Sequence, residues 1–203
     1  MKMKIGRDAH GDPDRIASAR RAIGSHTRLF TDANAAYSVR EAVAMAARMD
    51  QFDVSWFEEP VHHRDYAGLR FVRDHIPPGM AVAAGEYGFT LDDARMHLSS
   101  GSVDVLQADA TRCGITGFIR VAALCQAFRV PMSSHCAPSV HLHPCMAAPP
   151  VVHMEWFYDH VRIERMLLHG VIEDRHGKLS ADPDRIGHGL ELNEGEADTY
   201  KTE

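Results

Sequence analysis

Val54-Ser55-Trp56-Phe57-Glu58-Glu59-Pro60 is a short apolar run that ends abruptly in two carboxylates and a proline. Val54, Trp56 and Phe57 read as a buried strand. Pro60 stops it, because proline has no N–H to give to a sheet ladder. Carboxylates at the tip of a buried strand are costly unless something positive meets them. One such pair could be an ordinary solvated loop start. The same pattern, however, recurs along the chain.

Lys2-Met3-Lys4-Ile5 reads as the end of a strand broken by Gly6. Asp12-Pro13-Asp14 supplies an N-cap and an early proline for a helix running to Ile23. Thr27 to Phe30 is a second strand, ending in Thr31-Asp32-Ala33-Asn34. Ser38 caps a helix from Val39 to Met49, with Glu41 in its acidic first turn. Tyr66 to His75 is helical. Ala81-Val82-Ala83-Ala84 is a strand that runs into Gly85-Glu86. A helix follows from Thr90 to about Leu98. Val103 to Gln107 is the fifth strand, with Asp109 just past it, and Ile115 to Phe128 is helical. Met132 leads into a sixth strand ending at Ser133-Ser134-His135. Pro144, Pro149 and Pro150 predict an irregular stretch before a seventh strand, Val151 to Met154, ending at Glu155. Gly170 to Ser180 reads as a hairpin, and Pro183 to Leu192 as a covering segment.

Strands alternating with helices of this size indicate parallel βαβ units. A doubly wound sheet and a TIM-type barrel both fit. The barrel is favoured because a chemically capable residue ends every strand: Lys4, Asp32, Glu58, Glu86, Asp109, His135 and Glu155. In a barrel those tips converge on one mouth. Glycine-rich nucleotide loops are absent from the sequence. The expected fold class is α/β, a (β/α)7β barrel incomplete at its N-terminal end. It is expected as one domain over 1–203, with 170–203 as a C-terminal covering segment.

The composition narrows the partners. The net charge of −6, with no basic stripe, argues against nucleic acid. No apolar run is long enough to span a bilayer, and no signal sequence opens the chain. Cys113, Cys125, Cys136 and Cys145 lack C-x-x-C spacing and read as reduced thiols in a cytoplasmic protein. The histidine count of 14 decides nothing by itself.

Asp32, Glu58 and Glu86 end three consecutive strands. Three carboxylates in one mouth repel one another unless a cation sits between them, and hard oxygen donors suit Mg²⁺. Lys4 and His135 lie on opposite arms of the predicted mouth. A lysine near another cation or a metal has its pKa lowered and can act as a base near neutral pH. Lys2 is expected on the opposite pleat face from Lys4 unless the strand is ending there. Asp109 is placed to orient His135 and make it more basic. A rival metal pair, His141-x-His143, follows the sixth strand.

These residues resemble the motifs of the enolase superfamily. Lys2-Met3-Lys4 resembles its K-x-K motif; Asp32-x-Asn34, Glu58-Glu59-Pro60 and Gly85-Glu86 resemble its three metal-ligand motifs. Gln107-Ala108-Asp109, Ser133-Ser134-His135 and the Glu155 strand end resemble the Asp–His dyad and acidic residue of the mandelate racemase subgroup. The resemblance implies a barrel with a separate capping domain. It also implies a small carboxylate substrate bound on Mg²⁺, and removal of the α-proton to give an enediolate. By position, Asp32, Glu58 and Glu86 are then metal ligands. Lys4 is a base on one face of the substrate, and His135, paired with Asp109, is the acid/base on the other. Glu155 is a proton donor or polar contact, Asn34 and Lys2 support the ligand, and Glu59 lies behind it.

The expected reaction is dehydration of a sugar acid to a 2-keto-3-deoxy acid, by a homo-oligomer. A racemase or epimerase of 2-hydroxy acids would use the same two bases, and a truncated, non-catalytic barrel is a third reading. Counterparts of the capping domain and of the first barrel strand and helix are expected to be missing from this chain. Cys113-Gly114-Ile115-Thr116 has one glycine where the family pattern has two, which is expected to tighten the turn after Asp109.

Overall fold

The computed structural model describes residues 1–202. Among them, the chain forms two compact units. The first comprises Met1–Gly85 and Asp92–Leu106; the second comprises Glu86–Leu91 and Gln107 onward.

In the first unit, strands β1 (Lys2–Lys4), β2 (Leu29–Asp32), β3 (Val54–Glu58) and β4 (Ala81–Ala84) alternate with helices α1 (Asp12–Ile23), α2 (Val39–Asp50) and α3 (Tyr66–His75). Helix α4 (Leu91–Ser100) follows, and then β5 (Val105–Ala108), whose first two residues belong here. Neighbouring strands pair in parallel. The register decides what meets at their ends: Lys4 is the partner of Asp32, and Asp32 of Glu58. Three chemically active side chains therefore stand in one row across three strands.

Side chains alternate along a strand, so Trp56 and Glu58 share one face of β3 while Phe57 points to the other. Trp56 stacks on Phe30 with ring centroids 5.2 Å apart. Phe57, fully buried, meets Tyr37 edge-on. Helix α2 lays Ala42, Met45, Ala46 and Met49 against the core, the i, i+3, i+4, i+7 stripe of an amphipathic helix. Its start is the expected Ser38 cap, completed by Glu41 as a full capping box.

The second unit contains the end of β5, then α5 (Ala110–Phe128), β6 (Met132–Ser134), α6 (Pro138–Met146), β7 (Val151–His153) and α7 (Tyr158–Leu167). Strands β6 and β7 pair in parallel. Phe118, Val121, Ala122 and Cys125 form the buried stripe of α5. Buried Glu164 of α7 accepts the Ser139 hydroxyl of α6 at 2.7 Å, fastening the two helices. The tail adds β8 (Leu168–His169), paired antiparallel with β9 (Glu191–Leu192), and a short α8 (Glu194–Asp198).

Several local expectations are corrected. Gly11, not Asp12, stands at the N-cap of α1. Asp12 is the first helical residue, and its buried carboxylate accepts the Gly6 N–H at 2.6 Å. The proline-rich stretch after β6 is a nine-residue helix containing Pro144, because Pro138 opens the first turn, where a missing N–H costs nothing. Instead of forming a tightened turn, Gly114 breaks α5 at φ 75°. The hairpin expected within 170–180 is present in minimal form, an antiparallel bridge of Arg175 with Lys178 closed by two backbone hydrogen bonds, and the tail's two-stranded ladder lies between β8 and β9.

Candidate active site

The first unit gathers Lys2, Lys4, Asp32 and Glu58. Asp32 and Glu58 are each the last residue of their strand and are fully buried. The Lys2 ammonium lies 2.8 Å from both Glu58 oxygens and 3.9 Å from Asp32 Oδ2. The Lys4 ammonium pairs with Asp32 Oδ2. Lys2 therefore shares a face with Lys4, correcting the opposite-face expectation, as the two-residue period of a strand requires.

Two buried carboxylates and two ammonium groups neutralise each other here. Burial by itself would lower the Lys4 pKa. The Asp32 hydrogen bond and charge outweigh that and raise it. In this arrangement the Lys4 shift runs opposite to the lowering expected from its cationic neighbour.

The Trp56 indole N–H donates to Glu58 Oε2 at 2.9 Å, a contact that strand alternation alone could have suggested. Asn34, at φ 44°, reaches Asp32 through its backbone N–H, which donates to Oδ1 at 2.9 Å. The Glu59 side chain is buried. Its N–H donates to the Ala83 carbonyl and its own carbonyl accepts from Ala35, which ties the loops after β2 and β3 together. Positive φ at Asn34, Ala35 and Glu59 marks strained backbone where the strands end.

The second unit gathers Glu86, Asp109, His135 and Glu155. Asp109 caps α5, taking the Thr111 N–H on Oδ1 at 2.8 Å and the Thr111 hydroxyl at 2.7 Å. Its other oxygen lies 3.0 Å from His135 Nδ1. A helix N-terminus favours negative charge. Burial alone would raise the Asp109 pKa; the His135 and Thr111 hydrogen bonds reverse this and bring it down to about 2. The carboxylate in turn orients the imidazole. Burial lowers the His135 pKa, but the Asp109 bond and the charges of Glu86 and Glu155 overcome it and raise the value.

Nδ1–H on Asp109 leaves Nε2 as the ring's reactive nitrogen. It lies 3.1 Å from Cys136 Sγ and 3.3 Å from Glu86 Oε2. Glu86 Oε2 is buried and makes no hydrogen bond, so its approach to His135 is one of charge alone. Glu155 accepts the Cys136 N–H at 2.8 Å.

Sequence reasoning did not anticipate the part played by His141. It is fully buried, accepts the Ala110 N–H on Nε2 at 2.7 Å, and donates Nδ1–H to the Ala137 and Cys136 carbonyls at 2.9 and 3.0 Å. Both ring nitrogens are thus committed to backbone, which removes the His141-x-His143 metal pair as a reading. Burial lowers the His141 pKa and keeps the ring neutral. A histidine on a helix carries no sequence signal that would separate this wedge from a surface residue.

Residues 1–196 match the family model described as enolase C-terminal domain-like. The chain belongs to that family. A mandelate racemase/muconate lactonizing enzyme-like protein from Rubrobacter xylanophilus superposes with a TM-score of 0.95 at 46% identity, covering 99% of this chain and 56% of that one. The 3,6-anhydro-alpha-L-galactonate cycloisomerase of Streptomyces coelicolor is 33% identical over 198 residues, 95% of this chain and 52% of the relative. The L-talarate/galactarate dehydratase from Salmonella typhimurium LT2, liganded with Mg and L-lyxarohydroxamate, superposes with a TM-score of 0.89 at 28% identity. That match covers 97% of this chain and 49% of the other. The chain therefore has the parallel α/β fold of the enolase-type C-terminal barrel domain, and it spans about half the length of the relatives it matches. No described helix is long and apolar enough to cross a membrane.

Proposed function

We propose that this enolase-type domain removes the proton α to a substrate carboxylate with the help of Mg²⁺, and that its reaction is dehydration of a sugar acid. The observation that carries the reading is the Asp109–His135 pair. Its 3.0 Å contact orients a histidine whose other nitrogen is left for proton transfer. Asp32, Glu58 and Glu86 are the proposed Mg²⁺ ligands. Their all-oxygen donor set suits that ion, and Glu86 Oε2 is a buried acceptor without a hydrogen bond of its own. When bound, Mg²⁺ would act as a Lewis acid on the substrate carboxylate.

The chain's own groups supply the rest. Lys2 and Lys4 pair with the buried Asp32 and Glu58 carboxylates. Lys4 and His135 are the proton carriers: one takes the α-proton, and the protonated partner gives a proton to the departing β-hydroxyl. The substrate loses one water, and the enol left behind becomes a 2-keto-3-deoxy acid. Glu155 supports the substrate carboxylate. Lys2, Asn34 and Glu59 keep the ligating carboxylates in place.

The reading draws on relatives named as a sugar-acid dehydratase and a cycloisomerase. Its test is incubation of the chain with a panel of 2,3-dihydroxy acids and Mg²⁺ in D₂O. The expected result is release of a 2-keto acid, reduced by roughly 10²-fold or more in Lys4→Ala and in His135→Ala. Exchange of the α-proton with inversion and no keto acid would replace dehydration by racemisation. Absence of both would leave a non-catalytic barrel.

A further inference from the structure

We propose that His135, Cys136 and Glu155 form a second cation site, selective for a soft divalent metal such as Zn²⁺, whose occupation blocks proton transfer at His135. His135 Nε2, Cys136 Sγ and a Glu155 carboxylate oxygen all lie within 4.8 Å of one another. The Nε2–Sγ separation is already 3.1 Å. A tetrahedral Zn²⁺ with bonds of roughly 2.0 Å to nitrogen and 2.3 Å to sulfur needs these donors only a few tenths of an ångström further apart. Imidazole, thiolate and carboxylate are its ordinary ligands, and a water completes four-coordination.

Two features make this a built site. His135 Nδ1 is held by Asp109 at 3.0 Å, the carboxylate–histidine arrangement that fixes a metal-binding imidazole and strengthens it as a ligand. The Cys136–Ala137 turn, with both residues at positive φ, is locked by backbone and side-chain bonds: the Cys136 N–H to Glu155 Oε2, and His141 Nδ1–H to both carbonyls. The thiol therefore has little freedom to turn away. Its sulfur also separates this site from the all-oxygen set proposed for Mg²⁺, because thiolate favours soft cations. Binding releases the thiol proton to solvent, involves no electron transfer, and leaves an ion neutralised by one thiolate and one carboxylate. Glu86 Oε2, 3.3 Å from Nε2, is the neighbouring acceptor.

Binding rests on this geometry alone; the inhibition rests on the proton-transfer role proposed for His135. The test is titration of the full chain with Co²⁺ alone, under excess Mg²⁺. Tetrahedral d–d absorption with a thiolate-to-cobalt charge-transfer band is expected, and added Zn²⁺ should abolish both. Cys136→Ser should lose the charge-transfer band, whereas Cys113→Ser keeps it. Asp109→Asn should keep the band but weaken binding by about tenfold or more. Absence of the band in the unaltered chain, or its persistence in Cys136→Ser, overturns the site. A band without turnover upholds the site and refutes the catalytic reading instead. With turnover, Zn²⁺ should suppress α-deuterium exchange in the parent far more than in Cys136→Ser; equal suppression overturns the inhibitory role.

Discussion

The Lys2 ammonium sits 2.8 Å from each oxygen of the fully buried Glu58 carboxylate, so a cation from the first strand neutralises an anion at the tip of the third. Removing one partner of a buried pair strands the other, at a cost of about 3 kcal/mol or more. Lys2→Met should therefore lower the urea midpoint without Mg²⁺, softened by the Trp56 N–H that still reaches Glu58. Under the proposed ligand set, Mg²⁺ should restore more stability to this variant than to the parent, because the Lys2 ammonium then no longer competes for the carboxylate. Identical Mg²⁺ responses in the two proteins would contradict that.

Asp109 predicts an acid limb. Its carboxyl is depressed to about 2 from 3.8, chiefly by hydrogen bonds that overcome burial. A depressed carboxyl stabilises the fold above its unfolded pKa, and the contribution is lost as pH falls through the folded value. The loss should amount to roughly 2 kcal/mol between about pH 4 and 2. His135 runs the other way: its raised pKa stabilises the fold below the unfolded value and ceases to do so as pH rises through the folded one. Asp109→Asn should flatten both limbs in unfolding curves collected across pH.

Buried His97 has its pKa pushed down to about 4 by burial and then by the charge of His63, with Nδ1 3.0 Å from the Ser102 hydroxyl. The unfolded chain binds this proton more readily than the folded one. Stability should fall as pH drops below about 6.5, by a loss approaching about 3 kcal/mol near pH 4. Comparing urea midpoints at pH 7.5 and 5 in the parent and in His97→Leu measures it; an unchanged slope in the variant would exclude this residue as the source.

Gly6 stands at φ 94°, and a Cβ there would collide with the Ala36 Cβ. Its N–H also anchors the buried Asp12 carboxylate. Gly6→Ala should cost roughly 1–3 kcal/mol through strain and displacement of the loop after β2. Gly24, at φ 71° but with open space around it, is the control. Its alanine variant carries only the backbone strain of about 1–3 kcal/mol that φ 71° with ψ −177° imposes; Gly6→Ala adds the collision and should lose more, so equal losses at both positions would show that the collision is relieved.

Some of this was plain in the chain. Ser38 announces a helix start, with Glu41 in its acidic first turn, because a cap acts within a few residues. Strand ends at Asp32, Glu58 and Glu86 were placed within a few residues, since apolar runs and their breakers are local signals. The Pro144 helix was missed because proline's local penalty misled where the Pro138 start and buried Ser139, His141 and Leu142 prevailed. His141 was missed for a related reason: its partners, Ala110, Cys136 and Ala137, are defined by a fold rather than by spacing.

Sequence alone determined the alternation of strand and helix and the placing of acids, a lysine and a histidine at strand ends, because periodicity and chain breakers act over a few residues. Tertiary structure decided which cation met which carboxylate, which nitrogen of His135 faced Asp109, and that Cys136 lies against the other. Those outcomes depend on strand register and on distances of about 3 Å between residues remote in sequence, where a shift of one residue turns a side chain to the opposite face.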